Sequence, residues 1–472
     1  MRRQTVRLLF AIAGVTALIA SAPSADAGGV PPSVRLTPER LAHLLGTDRR
    51  PSASQHIETD IHSPNMKLIG RSPNTGTINS DLAFQNHVVY AGDYDGFRII
   101  EVRDPTNPVV LSDTPCHGAQ DDVSIWGNLM FLSVDHPETK RTCDSQEVPI
   151  DPSDPSTWVG YEGIRIFDVT DKANPQLIKF VETDCGSHTH TLVPDPANQR
   201  LLLYVSSYAL LPGPHCGPDH AQSDLHEKIS IVEVPLANPA ASRVIATPRI
   251  DAPILNIPGY FPTIGCHDIQ VFLPLHLAAA ACLTEGQLWD ISDPAHPKTL
   301  QATHIQNDAF TFWHSAAFTW DGQVVAFSDE TFFQGCETPG DPDGRVWFYS
   351  VADPSAPLGS FGIPRPQGGQ YCSMHLFDII PVTDRYLLVG SAYGGGTTVV
   401  DFTDPSAPTE LGFYDAQDPI AADTWSSYFW NGAIYANDIS RGVDIFRLRD
   451  SASREARRFK RLNPQTQNLL LG

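Results

Sequence analysis

Asp104-Pro105-Thr106-Asn107-Pro108 closes a run of β-branched and aromatic residues, Phe97-Arg98-Ile99-Ile100-Glu101-Val102, and the same phrase returns along the chain. It recurs at Asp171-Lys172-Ala173-Asn174-Pro175, Asp293-Pro294-Ala295-His296-Pro297, Asp353-Pro354-Ser355-Ala356-Pro357 and Asp404-Pro405-Ser406-Ala407-Pro408. A worn copy stands at Pro235-Leu236-Ala237-Asn238-Pro239. Repetition on this scale marks a stacked or circular architecture, because each unit buries its apolar face only against its neighbours. The unit itself is legible between 315 and 363: a strand at 315–319, a turn at Asp321-Gly322, a strand at 324–328, a loop, a strand at 345–351, the Asp-Pro turn and a strand at 358–363. Four short β-rich segments separated by turn residues predict a four-stranded antiparallel meander.

Third-strand segments recur at 97–102, 164–169, 229–234, 287–291, 346–351, 397–402 and 443–448. Seven such units predict an all-β fold, a seven-bladed β-propeller spanning 66–450. The last unit stops after its third strand, at Leu448, while Met66-Lys67-Leu68-Ile69-Gly70 precedes the first unit and resembles the fourth strand Thr409-Glu410-Leu411-Gly412-Phe413-Tyr414. The N-terminal strand is therefore expected to complete the last blade and close the ring, which removes exposed sheet edges.

Outside the ring, residues 1–27 have the parts of a cleaved signal peptide: Arg2 and Arg3, an apolar run at 8–20, and Ala25-Asp26-Ala27. The apolar run is too short to span a membrane comfortably. A secreted, periplasmic or cell-surface protein is expected, with Sec and Tat export both open. Residues 28–65 read as an N-terminal arm outside the ring, and 451–472 as a basic C-terminal tail, a solvated helix or frayed end. With 32 basic and 54 acidic residues the formal charge is −22, which argues against nucleic-acid partners. Eight cysteines without a CxxC pair read as disulfides in an exported chain.

The strand runs followed by Asp-Pro-x-x-Pro resemble the LVIVD-repeat proteins, a secreted β-propeller family. The resemblance spans most of 66–448. It implies the propeller and leaves the chemistry open.

Aligning the innermost strand of each unit by the turn that follows places His188, His267, His314 and His375 at one address in blades three to six. Blades two, one and seven carry Asp121, Ser80 and Thr424 there, with Asp122, Asp81 and Asp423 adjacent. Inner strands of neighbouring blades aim equivalent side chains at one space, where three or four neutral imidazoles can hold a divalent metal. His190 is a spare ligand or a nearby base; His117 and Asp121 are candidates to complete one side. The competing reading is hydrogen-bonded lining of a water-filled channel. Asp93, Asp135, Asp329, Glu330 and Asp438 end second strands, either capping turns or supporting the imidazoles, and Asp268 follows His267 directly.

Cys116, Cys185, Cys266 and Cys372 lie just before the inner strands, and Cys143, Cys216 and Cys336 in loops after second strands. Pairing Cys143 with Cys185, Cys216 with Cys266 and Cys336 with Cys372 would staple each loop to the next blade and leave Cys282 and Cys116 over; Cys116 with Cys143 is a rival pairing. The long loops at 135–161, 210–228 and 331–345 are read either as walls of the histidine face or as surface decoration. Gly394-Gly395-Gly396 reads as a hairpin, and no GxSxG supports a serine hydrolase.

Histidine-rich propellers occur in carotenoid-cleaving oxygenases, which hold iron, and in copper-dependent methanethiol oxidases of the selenium-binding protein family. His188-Thr189-His190 is loosely similar to the latter, an architectural likeness that implies iron or copper and carries no residue across. Two functions are expected to compete: a metal-dependent oxidoreductase acting on a small molecule, and a secreted scaffold binding protein or glycan without catalysis.

Overall fold

The computed structural model describes residues 60–471 except 152–153, 208–212, 217–225, 255–263, 301–304, 307–311, 331–343, 366–372 and 418–419. Seven antiparallel sheets follow one another, each starting from an innermost strand, so the predicted propeller is the fold. In blade one the four strands are Asn79–Gln85, Val88–Asp93, Gly96–Glu101 and Val109–Pro115. In blade seven Thr424–Trp430, Ala433–Asp438 and Gly442–Leu448 are joined by Met66–Pro73. Met66 lies opposite Leu448 and Pro73 opposite Gly442, so the N-terminal strand closes the ring as the sequence predicts.

The core lies between blades. Phe84 of blade one, fully buried, stacks on Trp430 of blade seven at 5.6 Å and meets Tyr435 at 5.4 Å. The Asp-Pro turns are built locally: Asp104 Oδ1 accepts from Thr106 N at 3.0 Å, and Asp171, Asp293, Asp353 and Asp404 repeat the bond with the residue two positions on. An aspartate that binds its own backbone in this way fixes the turn without help from elsewhere. The turn then packs on its neighbour. A Cβ at Gly70 would overlap the Pro105 carbonyl, and one at Gly359 the Pro405 carbonyl, so the repeat needs a glycine where the adjacent blade's turn arrives.

Both chain ends depart from expectation where they are described. Ile61–His62 pairs with Thr409–Asp415 as a fifth strand of blade six, so the arm is attached to the ring from residue 60 onward. The expected signal peptide, 1–27, and the rest of the expected arm lie outside the described residues. The tail is not frayed: its basic residues Arg454, Arg457, Arg458 and Lys460 are exposed, but 462–467 are buried. After a single turn of helix at Ala452–Glu455, it runs as a strap across the ends of the inner strands. Arg461–Leu462 pairs with the end of Asn79–Gln85, and Thr466–Gln467 pairs in parallel with Ile269–Phe272 of blade four. Asn463 Oδ1 accepts from Ile125 N at 2.8 Å while its Nδ2 donates to Ile125 O at 3.0 Å. Gln467 bonds Phe318 N and O in the same two-handed way, at 3.2 and 2.8 Å. Basic composition alone suggested solvent; the interleaved amides and threonine, which can pair with strand backbone, decide otherwise.

Three disulfides join Cys116 to Cys143, Cys185 to Cys216 and Cys266 to Cys282. The pairings Cys143–Cys185 and Cys216–Cys266 are therefore incorrect, and the rival Cys116–Cys143 is the one formed. In an antiparallel meander the end of the second strand meets the start of the inner strand of the same blade, so each staple stays within one blade rather than reaching to the next. Cys336 and Cys372 lie outside the described residues. Three disulfides point to an oxidising, extracellular-type environment, and among the described residues no helix is long and apolar enough to cross a membrane.

Candidate metal centre

His188, His267 and His375 sit where the inner strands begin. The amides of the three donate to Ser206, Ala281 and Ser391 carbonyls, at the end of the second strand of each blade. Equivalent backbone positions in neighbouring blades converge on the axis, and the imidazoles follow. Ring centroids are 4.5 Å apart from His188 to His267, 3.5 Å from His267 to His314 and 4.2 Å from His314 to His375. All four are buried.

The tautomers follow from the outer partners. His188 Nδ1 lies 2.8 Å from Asp135 Oδ2 and His267 Nδ1 lies 3.3 Å from Asp268 Oδ1, so each Nδ1 carries the hydrogen. His375 Nδ1 donates to the Trp425 carbonyl at 2.5 Å. The Nε2 lone pairs of these rings are left facing inward. His188 Nε2 and His267 Nε2 meet at 2.8 Å, where two lone pairs repel unless a proton or a cation lies between them. His314 Nδ1 and Asp268 Oδ2 are buried with no hydrogen-bond partner among the described residues. Glu330 bridges the far end: its Oε2 is 3.4 Å from His314 Nε2 and its Oε1 3.7 Å from His375 Nε2, while Tyr393 Oη donates to it at 2.7 Å. Ligand atoms of His267, Asp268 and His314, and of His314, Glu330 and His375, lie within 4.8 Å of one another in each group.

Burial sets the charge states. It pushes His267 down to about 4, helped by His188, and His375 down to about 3. His314 is driven well below the ordinary imidazole range by burial and by its histidine neighbours. Burial lifts Glu330 to about 7, against the Tyr393 hydrogen bond. Burial also pushes Asp135 upward, but His188, with His136 and His267, offsets this and holds the carboxyl below its usual value.

Other predicted residues lie elsewhere. His190 is buried between blades two and three, with Nε2 2.7 Å from Ser124 Oγ and Nδ1 2.9 Å from Ser133 Oγ and 3.1 Å from Asp122 Oδ2. The regular strand begins at Thr189, so strand alternation does not carry from His188 to His190. His117 turns outward to Glu138, 2.6 Å away. Asp121 adopts a positive φ of 49° and sits beside Arg165, and its neighbour Asp122 faces the axis instead. Asp329 Oδ1 accepts from Phe312 N at 2.7 Å, which ties the end of the second strand to the start of the inner one, whereas Asp93 and Asp438 cap the turns that follow them, accepting from Asp95 N and Arg441 N at 3.0 Å each. Sequence reasoning missed Tyr393 and Trp425. Tyr393 stands two residues past the second strand of blade six, the same region that supplies Glu330 one residue past that of blade five.

Below the imidazoles an axial cavity of about 10 Å³, room for about one water, is lined by Asp81, Asp122, His267, Asp268, His375 and, from the strap, Gln465. Loop 135–161 begins at the site through Asp135, while much of the other two long loops lies outside the described residues.

Comparison with solved structures finds the following similarities. The WD40 β-propeller domain of Doa1 superposes with a TM-score of 0.50 at 10% identity, over 83% of this chain and 99% of that one. A putative 6-phosphogluconolactonase from Bacteroides fragilis gives 0.47 at 10% identity, over 84% and 99%. At such identity the likeness to the first shows the fold alone. No curated protein matches the sequence. Residues 380–416, which hold the second, third and fourth strands of blade six, match the LVIVD repeat. The chain is a seven-bladed β-propeller carrying that repeat.

Proposed function

We propose that His188, His267, His314 and His375, with Glu330 and Asp268 beside them, hold a divalent transition metal, iron or copper, and that the exported protein is a metal-dependent oxidoreductase acting on a small molecule. The observation that carries this reading is the inward convergence of Nε2 atoms whose Nδ1 hydrogens are anchored on Asp135, Asp268 and the Trp425 carbonyl. Carboxylate or carbonyl anchoring of the outer nitrogen is the usual support of a metal-bound histidine. Two nitrogens bound to one metal at about 2.1 Å and about 90° to each other lie about 3 Å apart, close to the His188–His267 separation. The partnerless atoms His314 Nδ1 and Asp268 Oδ2 fit the same reading, since buried polar atoms otherwise find partners.

A bound metal would supply Lewis-acid or redox chemistry. The chain supplies the rest. Asp135 and Asp268 fix ring orientation, burial keeps His267, His314 and His375 neutral, and Glu330, lifted to about 7, is able to hold or release a proton at Oε near neutral pH. Tyr393 orients that carboxyl. The cavity beneath has room for about one water, so a substrate would have to reach the imidazoles from the face where the inner strands begin.

The test is metal analysis of full-length protein purified without chelator or histidine tag. Near-stoichiometric iron or copper, lost in a folded His267→Ala/His314→Ala variant, is expected. A folded wild type that is metal-free and takes up neither added Fe(II) nor Cu(II) would overturn the reading and leave the imidazoles as lining of a protein- or glycan-binding scaffold.

A further inference from the structure

Away from the axis, the last blade and the start of the strap carry a second feature with chemistry in it. Between 447 and 461 stand seven of the chain's 32 basic residues, Arg447, Arg449, Arg454, Arg457, Arg458, Lys460 and Arg461, against Asp450 and Glu455. In a protein of formal charge −22 this is a local inversion of sign. The fold gathers four of them, Arg447, Arg449, Arg454 and Arg458, around one concavity whose floor is Gly432 and Leu448.

Three observations show that the concavity lacks its counter-charge. None of the four guanidinium groups has a carboxylate partner among the described residues. The acid that lines the same space, Asp450, is already committed, with Oδ1 2.8 Å from Arg385 Nη1 and accepting from Ala452 N at 2.9 Å. Finally, Lys67 is directly opposite Arg447 in the antiparallel pair that closes the ring, and both are exposed. Like charges facing each other across a strand pair destabilise it unless an anion sits between them. The floor is open as well: a Cβ at Gly432 would meet nothing nearer than 3.7 Å. The walls are held rather than loose, because Asn431 Nδ2 donates to Phe459 O at 2.9 Å and its Oδ1 accepts from Phe459 N at 3.0 Å, which ties the strap to the blade at this point.

We propose that this arginine-lined concavity is a binding site for a phosphate-bearing ligand with two or more negative charges. Guanidinium forks match phosphate oxygens two at a time and are less strongly hydrated than ammonium groups, so four arginines favour phosphate over a single carboxylate. The site is separate from the imidazole cluster and does not depend on the metal reading.

The probe is sodium pyrophosphate, titrated calorimetrically into the full-length protein in 50 mM and 500 mM salt. Saturable one-to-one binding that weakens at least tenfold at the higher salt is expected. Arg447→Gln/Arg458→Gln should weaken it at least tenfold, while Arg103→Gln, a surface arginine paired with Glu101, should not. Because Arg447 and Arg458 are exposed, the double variant should fold; relief of the Lys67 repulsion should leave its melting temperature equal to or above that of the wild type without ligand. Co-sedimentation with phosphatidylglycerol vesicles separates the sources: binding to vesicles as well as pyrophosphate assigns a lipid headgroup, and binding to pyrophosphate alone a soluble phosphate. Absence of saturable binding to either probe, or equal binding by the double variant, overturns the proposal.

Discussion

The two ends of the axial channel are made by the same seven inner strands and could hardly differ more. Where the strands finish, the strap answers every group it meets: Asn463 and Gln467 pair with strand amides and carbonyls through both of their side-chain atoms, and Thr466 Oγ1 donates to Leu192 O at 2.6 Å. Where the strands begin, two Nε2 atoms face each other, and His314 Nδ1 and Asp268 Oδ2 lack partners among the described residues. Polar groups buried in a protein are normally satisfied, so the contrast separates a structural closure from a place built for something else. A chain able to saturate one end with amides has kept imidazoles and carboxylates at the other.

Removal of the strap should have the largest effect on folding. Deleting residues 459–472 breaks about eight hydrogen bonds to the inner strands, each contributing on the order of 1 kcal/mol, so stability in urea should fall by about 5 kcal/mol or more. If the two ends are independent, the variant measured well below its unfolding transition should keep its metal content; a parallel loss of metal would break the contrast.

Next in size is the staple of blade three. Replacing Cys185 and Cys216 with serine frees a loop of 31 residues' separation and should cost about 3 kcal/mol in chemical denaturation. Glu330→Gln sharpens the picture at the open end. Its carboxyl titrates near 7 when folded and near 4.5 when unfolded, so the ionised form opposes folding, with a penalty that begins above pH 4.5 and is complete above about 7. The metal-free variant should therefore gain up to about 3 kcal/mol at pH 8 and nothing at pH 4, while its metal affinity falls about 10- to 100-fold.

The smallest effect is spectroscopic. In metal-free protein the ring protons of His267 and His375 should titrate by NMR with midpoints near 4 and 3, well below 6.5. Their folded values are depressed, so this contribution to stability is present above pH 6.5 and is lost as pH falls toward 4. Midpoints near 6.5 would show that water reaches the rings and would favour the channel-lining account.

Much of the architecture is readable without coordinates because it repeats. The Asp-Pro turns are closed by their own aspartates, the strand pattern has period two, and the missing fourth strand of the last unit asks for Met66–Gly70. The address shared by His188, His267, His314 and His375 is legible for the same reason: a repeat aligns itself. His190 was misleading because the regular strand starts after His188, a boundary that pattern alone does not locate. Tyr393 and Trp425 had no signal of their own, being single residues on neighbouring blades that meet only at the seam between blades six and seven.

Local chemistry written once per repeat, then, was determined by sequence: blade, turn, ring closure and the four-histidine arc. Tertiary structure decided what depends on contacts between distant segments. The antiparallel return of each second strand, not the spacing of cysteines, selected the disulfides, and the strap's amides found backbone partners on blades one to five that no composition could reveal. The reason is the range of the forces involved: turns and strands are settled by neighbours in the chain, whereas a lone pair's partner, whether proton, metal or carbonyl, is settled by what folding brings within about 3 Å.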